Sequence, residues 1–310
     1  MEKKFAITGA TGLLGSNLVN HLVGSGNEVS VLIKDQNSKS VLNSDVNKIY
    51  GDISDKHDIE FFIQRSNPTH FIHLAAQTQA YDSLKYPYQT FYNNVVGTLN
   101  IMESLREFGN CKAILVASSD KAYGELTTNK YIENHPLNGT YPYDASKSAT
   151  DIISNSYRRT YGMPVIVTRA CNMYGIGDYN RQRLIPGIVH AHLKKINFVI
   201  RNAGIDSREY VHVDDVVNAY LELLDYAENN NKYGAFNISS GDIYKTIDLF
   251  HLVENAIGTS VKHEILNSSS LEIKNQVMDS TLLKNETGWL PTKKLENSIT
   301  EIVHWYQNNI

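Results

Sequence analysis

The sequence is short of several things, and each shortage narrows what the chain can be. Only two of its 310 residues are cysteine, Cys111 and Cys171. That is too few for a disulfide framework, so a reducing, cytoplasmic setting is expected. No uninterrupted apolar run approaches the ~18 residues of a membrane helix. The amino terminus enters a strand, Lys4-Phe-Ala-Ile-Thr8, without a separate signal region. Sequons such as Asn138-Gly-Thr140 are therefore expected to stay unmodified. A surplus of positive charge is missing as well. The formal net charge is −4, and basic residues cluster at most as pairs such as Lys194-Lys195. This argues against nucleic acid and membrane surfaces as partners. No histidine pair has metal-ligand geometry. His70 and His73 lie three apart on a strand and face opposite ways, while His190 and His192 lie two apart on a helix and do not face each other. Asp214-Asp215 reads as a helix cap, not a carboxylate dyad.

What is present is an ordinary globular composition, 42% hydrophobic and 20% charged. The length suggests about two domains. Strands at Lys4–Thr8, Val29–Ile33, Lys48–Tyr50, Phe71–Leu74, Ala113–Ala117 and Val165–Val167 alternate with helical patterns. The first helix carries Leu14, Leu18 and Leu22 and closes at Gly24-Ser-Gly26. Others run over Ile59–Arg65, over a long Pro87–Phe108 stretch and around Tyr143. This predicts an α/β fold with a doubly wound, Rossmann-type parallel sheet. After about residue 170 the alternation is lost, which predicts a smaller C-terminal substrate-binding lobe. The expected division is 1–170 for dinucleotide binding, rejoined by about 211–238 through a Val211–Leu224 helix and an Ala235–Asn237 strand. Residues 171–210 and 239–310 form the lobe. Asn229-Asn-Asn231 and Ser268-Ser-Ser270 read as loop tips.

Two groups of residues carry chemistry. Gly9, Gly12 and Gly15 lie between the first strand and the first helix, where glycines allow a tight turn and a pyrophosphate at the helix amino terminus. The end of the second strand lacks an acidic residue for a ribose; Lys34 stands there and suits a 2′-phosphate, with Asp35 as the alternative ribose contact. NADP is therefore modestly favoured over NAD. Asp52-Ile53 suits the adenine edge or a helix-capping loop. The second group is Ser119, Asp120 and Lys121 at a strand end, with Tyr143 and Lys147 one helical turn apart. Lys147 is expected to hold the Tyr143 phenol below its usual value near ~10, and Ser119 to hydrogen-bond the same substrate oxygen. Such a set predicts hydride chemistry at a carbinol. Asp120 and Lys121 add a second acid/base pair, suited to an elimination, unless they form a surface ion pair. Tyr123, in the same loop, reads as packing or sugar stacking.

At these residues the chain resembles the extended short-chain dehydrogenases/reductases of the nucleotide-sugar epimerase/dehydratase kind. The matching stretches are Thr8-Gly-Ala-Thr-Gly-Leu-Leu-Gly15, His73-Leu-Ala-Ala76, Asn94-Val-Val-Gly-Thr98 and Tyr143-x-x-x-Lys147, then Arg169-Ala-Cys-Asn172-Met-Tyr-Gly175 and Arg208-Glu-Tyr-Val-His-Val-Asp-Asp215. Within that family, Ser118-Ser-Asp-Lys-Ala-Tyr-Gly124, the Tyr174–Pro186 stretch and Ile200-Arg-Asn-Ala-Gly204 are most similar to CDP-glucose 4,6-dehydratases. The dTDP-glucose enzymes would carry Asp-Glu at Asp120-Lys121, and GDP-mannose enzymes a Glu. Lys121 must therefore replace a carboxylate base, or the base lies elsewhere. The first strand-helix segment lacks the Gly-His-Thr-Gly turn of the CDP-glucose enzymes, which leaves nucleotide and hexose open.

The resemblance implies a 4,6-dehydratase acting on a CDP-glucose-like or GDP-mannose-like substrate by internal hydride transfer. The alternatives are a 4-epimerase, which needs no second acid/base pair, and a non-catalytic NADP-binding sensor. Contacts to NADP or NAD are implied for Gly9, Thr11, Gly12, Leu13, Leu14, Gly15, Lys34, Asp52, Ile53, Leu74, Ala75, Ala76, Asn94, Tyr143 and Lys147. Asn172 is expected to bind the sugar or its diphosphate, and Arg208, with Arg183 or Arg201, to clamp the diphosphate. A homodimer or homotetramer is expected.

Overall fold

The computed structural model describes residues 3–125, 130–266, 273 and 275–309. Its first part runs β1 (Lys4–Thr8), α1 (Leu13–Gly24), β2 (Glu28–Ile33), β3 (Asn47–Tyr50), α2 (Lys56–Ser66), β4 (His70–His73), α3 (Ala80–Lys85), α4 (Pro87–Phe91), α5 (Gly97–Phe108), β5 (Ala113–Ala117), α6 (Pro142–Tyr161) and β6 (Val165–Ala170). Then follow β7 (Asn172–Tyr174), α7 (Leu184–Lys194), β8 (Phe198–Ile200), β9 (Ser207–His212), α8 (Val213–Asn230), β10 (Ala235–Ile238), β11 (Ile243–Lys245), α9 (Thr246–Ile257), β12 (His263–Ile265), β13 (Asn275–Gln276), α10 (Thr281–Thr287) and α11 (Leu295–Asn309).

Seven parallel strands form the main sheet in the order β10-β6-β5-β4-β1-β2-β3. Their side chains alternate between two cores, as a period of two requires. Phe5, Ile7, Val29, Val31, Ile72, Leu115 and Ile166 face the layer of α1 and α8. Ala6, Leu32, Phe71, Ile114, Val116, Val165 and Val167 face the layer of α2, α5 and α6. Strands buried on both faces read as continuous apolar runs, and the sheet is the doubly wound parallel arrangement the sequence predicts. A third core under α7, α9 and α11 fills the remaining part of the chain, with Ile188, Val189, Leu249, Phe250 and Val303 at its centre. No helix among the described residues is long and apolar enough to cross a membrane.

Local chemistry sets the boundaries. Asp55 caps α2 by accepting the His57 and Asp58 N–H groups, and left-handed Asn67 ends it. Gly109 and Gly162 end α5 and α6 in the same left-handed way. Two expectations need correction, and a third gains a detail: the Pro87–Phe108 helix runs through but contains a π turn at Tyr92–Val96. Inside it, the Asn94 carbonyl accepts from Thr98 Oγ1 (2.6 Å) and Thr150 Oγ1 (3.2 Å), a load that loosens the regular ladder. The helix expected from Val211 begins at Val213, because Val211 and His212 pair in β9 and the His212 side chain caps α8 by accepting from Asp214 N. Asp214-Asp215 is therefore not the cap: buried Asp215 instead accepts from Thr292 N, Thr292 Oγ1 and Lys293 N, tying down the segment before α11. Of the expected loop tips, Asn229 and Asn230 close α8 and Asn231 is its left-handed cap, while Ser268-Ser-Ser270 lies outside the described residues.

Candidate active site

A cleft of about 1200 Å³ opens at the carboxyl ends of the sheet strands, between the sheet and the third core. This is where ligands bind in open α/β folds. Gly9, Gly12 and Gly15 line one end and are glycines for three different reasons. Gly9 has φ +75°, and a Cβ there would lie 2.6 Å from Ala75 N. At Gly15 a Cβ would lie 2.1 Å from Gly9 O, so the helix could not pack on the turn. A Cβ at Gly12 would meet only Gly9 O, at 3.5 Å. Nothing in the protein forbids a side chain at Gly12; the space it would fill belongs to the cleft. Gly12 also caps α1 without a side-chain bond, and no acidic residue occupies the first turn. The amino-terminal N–H groups and the helix dipole are thus aimed at an anion. The turn fits the pyrophosphate of a dinucleotide.

Thr11, Leu13, Leu14, Lys34, Asp35, Asp52, Ile53, Leu74, Ala75 and Ala76 line the same end. Lys34 Nζ and Asp52 Oδ2 form an ion pair at 2.7 Å. Burial works against the Asp52 carboxylate, but bonds from Lys34 and Ser54 hold it below the usual range. Asn94 does not line the cleft. It is buried behind the wall, where Oδ1 accepts from Gln77 N (2.7 Å) and Nδ2 donates to Gln77 O (3.1 Å) and Ser146 Oγ (2.9 Å). Its work is to fix the loop after β4. His73 is buried between the hydroxyls of Thr8 (2.8 Å) and Thr98 (3.2 Å). Burial, helped by the Lys147 charge, pushes its imidazole down to about 3, so it is a neutral framework residue.

At mid-cleft the strand end and α6 bring Ser119, Asp120, Lys121, Tyr143 and Lys147 together. Ser119 caps a short 3₁₀ turn, Asp120–Tyr123; its hydroxyl donates to Asp120 Oδ1 (2.8 Å) and accepts from Lys121 N (3.2 Å). Its hydroxyl also favours ionisation of the Tyr143 phenol. Asp120 is buried, and its Oδ2 has no hydrogen-bond partner among the described residues. Lys121 Nζ lies 3.6 Å from Asp120 Oδ1 and donates to Gln276 Oε1 at 3.1 Å. Lys147 Nζ donates to Ala117 O at 2.7 Å. Burial first, then the Asp120 carboxylate, pushes the Tyr143 phenol above its ordinary value; the Ser119 hydroxyl and the Arg183 charge oppose them. Burial brings the Lys147 ammonium down to about 8 despite the Asp151 charge. Tyr123 is not a cleft residue. It stacks on Tyr131 and hydrogen-bonds Asn237 and Arg169, so it is packing.

The far end holds Asn172, Arg183, Arg201 and Arg208, from four segments. Asn172 Nδ2 donates to Glu209 O (3.2 Å), Arg183 pairs with Asp178 (3.2 Å) and Arg208 donates to Ser207 O (3.0 Å). The Arg201 guanidinium stacks on Tyr81, 4.4 Å from the ring centre, bridging the cleft mouth. Among the lining residues that no sequence motif singled out are three glutamines. Gln77 and Gln79 directly follow the His73-Leu-Ala-Ala76 stretch and were within reach of it; Gln276 lies in no motif. Their buried Oε1, Oε1 and Nε2 atoms have no partner among the described residues. Buried polar groups are ordinarily satisfied, so the cleft wall is built for a polar ligand. Among the described residues no cluster could hold a metal ion.

Known proteins agree with this architecture. A family model described as the NAD dependent epimerase/dehydratase family matches residues 5–239. A putative UDP-glucose 4-epimerase of Methanocaldococcus jannaschii is 29% identical over 98% of this chain and 98% of its own length. A trifunctional UDP-glucose 4,6-dehydratase/3,5-epimerase/reductase of Arabidopsis thaliana is 26% identical over 99% of this chain, which spans about half of it, 48%. Among solved structures, the UDP-glucose 4-epimerase of Thermus thermophilus, in complex with NAD, superposes with a TM-score of 0.89 at 25% identity, covering 99% of each chain.

Proposed function

Because the chain belongs to the NAD dependent epimerase/dehydratase family, we propose that it is a nucleotide-sugar 4,6-dehydratase, acting on a CDP-glucose-like or GDP-mannose-like substrate. The observation that carries this reading is the second acid/base pair, Asp120 and Lys121, packed beside Tyr143 in the cleft. Oxidation and re-reduction at C4, all that a 4-epimerase requires, would leave that pair without work.

A bound nicotinamide dinucleotide supplies a hydride acceptor for C4 and returns the hydride at C6. The protein's residues move the protons. Tyr143 takes the O4 proton, while Ser119 turns its hydroxyl from Asp120 to the same oxygen. Lys147 orients the cofactor and lends positive charge to the phenolate when its ammonium leaves the Ala117 carbonyl. With C4 a ketone the C5 proton becomes acidic; Lys121 removes it, and Asp120 protonates O6 as water departs. Lys121 then returns a proton to C5. Transfer of one proton from the Lys121 ammonium to the Asp120 carboxylate, within the 3.6 Å pair, readies the base and the acid together.

At the far end Asn172, Arg208 and Arg183 or Arg201 hold the sugar diphosphate. For the cofactor, the Lys34–Asp52 pair supports NAD over NADP, because Lys34, the cation at the end of β2, already has a carboxylate. The experiment is a panel of CDP-, GDP-, UDP- and dTDP-hexoses followed by mass. Loss of one water without net cofactor consumption is expected. An isomer of unchanged mass would instead establish the 4-epimerase reading, which the similarity to the archaeal relative favours.

A further inference from the structure

The amide of Gln276 has its orientation fixed by its neighbour. Lys121 Nζ donates to Gln276 Oε1 at 3.1 Å. An ammonium offers only donors, so the oxygen end of the amide must face it. The nitrogen end is left over. Nε2 is buried without a partner among the described residues, on a side chain that is 1% exposed and lines the cleft. The backbone holds it there: β13 pairs in parallel with β9 and sets Gln276 beside Arg208. Paired residues of neighbouring strands send their side chains to the same face, so the donor lies between the acid/base pair and the expected diphosphate clamp.

We propose that Gln276 is a positioning and specificity residue. Its Oε1 holds the Lys121 amine at the reacting end of the cleft, and its Nε2 donates a hydrogen bond to an oxygen of the bound hexose. The inference rests on the nucleotide-hexose reading above. It assigns a role in that site to the C-terminal segment, far from every motif in the sequence.

The test compares wild type, Gln276→Leu and Gln276→Glu by calorimetry. The probes are CDP-glucose, UDP-glucose, dTDP-glucose and GDP-mannose, each measured against its own nucleoside diphosphate. Gln276→Leu should weaken the bound nucleotide-hexose about tenfold, the effect of one lost hydrogen bond that leaves a partner unpaired. Binding of the free nucleoside diphosphate should not change. Gln276→Glu keeps the shape and an acceptor for Lys121 but loses the donor, so it should show the same selective loss. A carboxylate added beside Lys121 also favours its ammonium, so this variant alone should move the rising limb of the pH–rate profile upward. Equal losses for hexose and free diphosphate, or wild-type affinity in both variants, would overturn the proposal. If Gln276→Leu does not fold, the near-isosteric Glu variant decides by itself. Binding is read independently of the reaction that follows. A wild type that returns an isomer overturns the dehydratase reading alone, whereas one that binds no hexose of the panel overturns both.

Discussion

Lys34 and Asp52 meet in a 2.7 Å ion pair across the ends of adjacent parallel strands, on the rim of the dinucleotide end of the cleft. A 2′-phosphate placed there must compete with the Asp52 carboxylate and is repelled by it. NAD is therefore expected to bind at least as tightly as NADP. Asp52→Asn frees Lys34 and should improve NADP relative to NAD by about tenfold, since a charge-assisted bond to phosphate contributes roughly 1.5–3 kcal/mol at best. Titrating both cofactors against both proteins checks it; an unchanged ratio would show that Lys34 does not reach the 2′ position.

Tyr143→Phe should abolish turnover and leave cofactor affinity near that of wild type. The phenol moves a proton, whereas the glycine turn holds the pyrophosphate. Near-native kcat in this variant would remove Tyr143 from the chemistry.

Asp120→Asn separates elimination from oxidation. C4 oxidation does not need Asp120, so reduced cofactor should build up on the enzyme when substrate is added, while water loss falls by 10²–10⁴-fold, roughly the contribution of a general acid. Normal dehydration with no reduced cofactor would count against this assignment.

Burial of Lys147 gives a pH-dependent stability. Its ammonium is brought from 10.5 to about 8 in the folded chain. Below about 8 both folded and unfolded chains carry the proton, and folding bears the full cost of the buried charge, at most about 3 kcal/mol. Between about 8 and 10.5 only the folded chain has released it, and the cost fades. Wild type should therefore gain stability relative to Lys147→Met as pH rises through this window. Denaturant midpoints of both proteins at several pH values provide the measurement, and a constant difference would contradict it.

Arg169 and Asp151 form a buried two-pronged pair, with Nε–Oδ2 at 2.7 Å and Nη2–Oδ1 at 3.0 Å, and Arg169 also donates to Tyr123 and the Glu133 carbonyl. Neither Arg169 nor Asp151 lines the cleft. Arg169→Met leaves Asp151 buried and unpaired and should cost about 3–5 kcal/mol. Cofactor affinity of the folded fraction should hold. A loss below about 1 kcal/mol would show that water reaches Asp151.

Much of the sheet is legible in the sequence because its signals are local. Short apolar runs such as Ala113–Ala117 and the turn Gly9–Gly15 each say what they are within a few residues. The same locality explains what the sequence leaves out. Val211 belongs to an apolar run that suits strand or helix, and the choice falls to pairing with Met173 in β7. Lys34 shows its charge but not its partner, which lies 18 positions away in sequence and across one strand spacing in space. Lys147 follows Tyr143 at helical spacing, yet its ammonium turns to a carbonyl at the end of another strand. Gln276 reaches Lys121 across 155 positions through a two-residue strand, and no composition or period marks it.

The seventh strand of the main sheet, β10, arrives only after the chain has left the sheet, built β7 through β9 and returned through α8. Until residue 238 has emerged from the ribosome, β6 is an open edge whose six residues are all buried in the finished molecule. Such an edge is a template for wrong pairing. The part of the chain that builds the main sheet therefore cannot be excised as one contiguous fragment, and a shortened gene ending before α8 should yield insoluble protein. Recombination that exchanges the part built on the third core between relatives would have to cut twice, on either side of residues 213–238, to keep both parts whole.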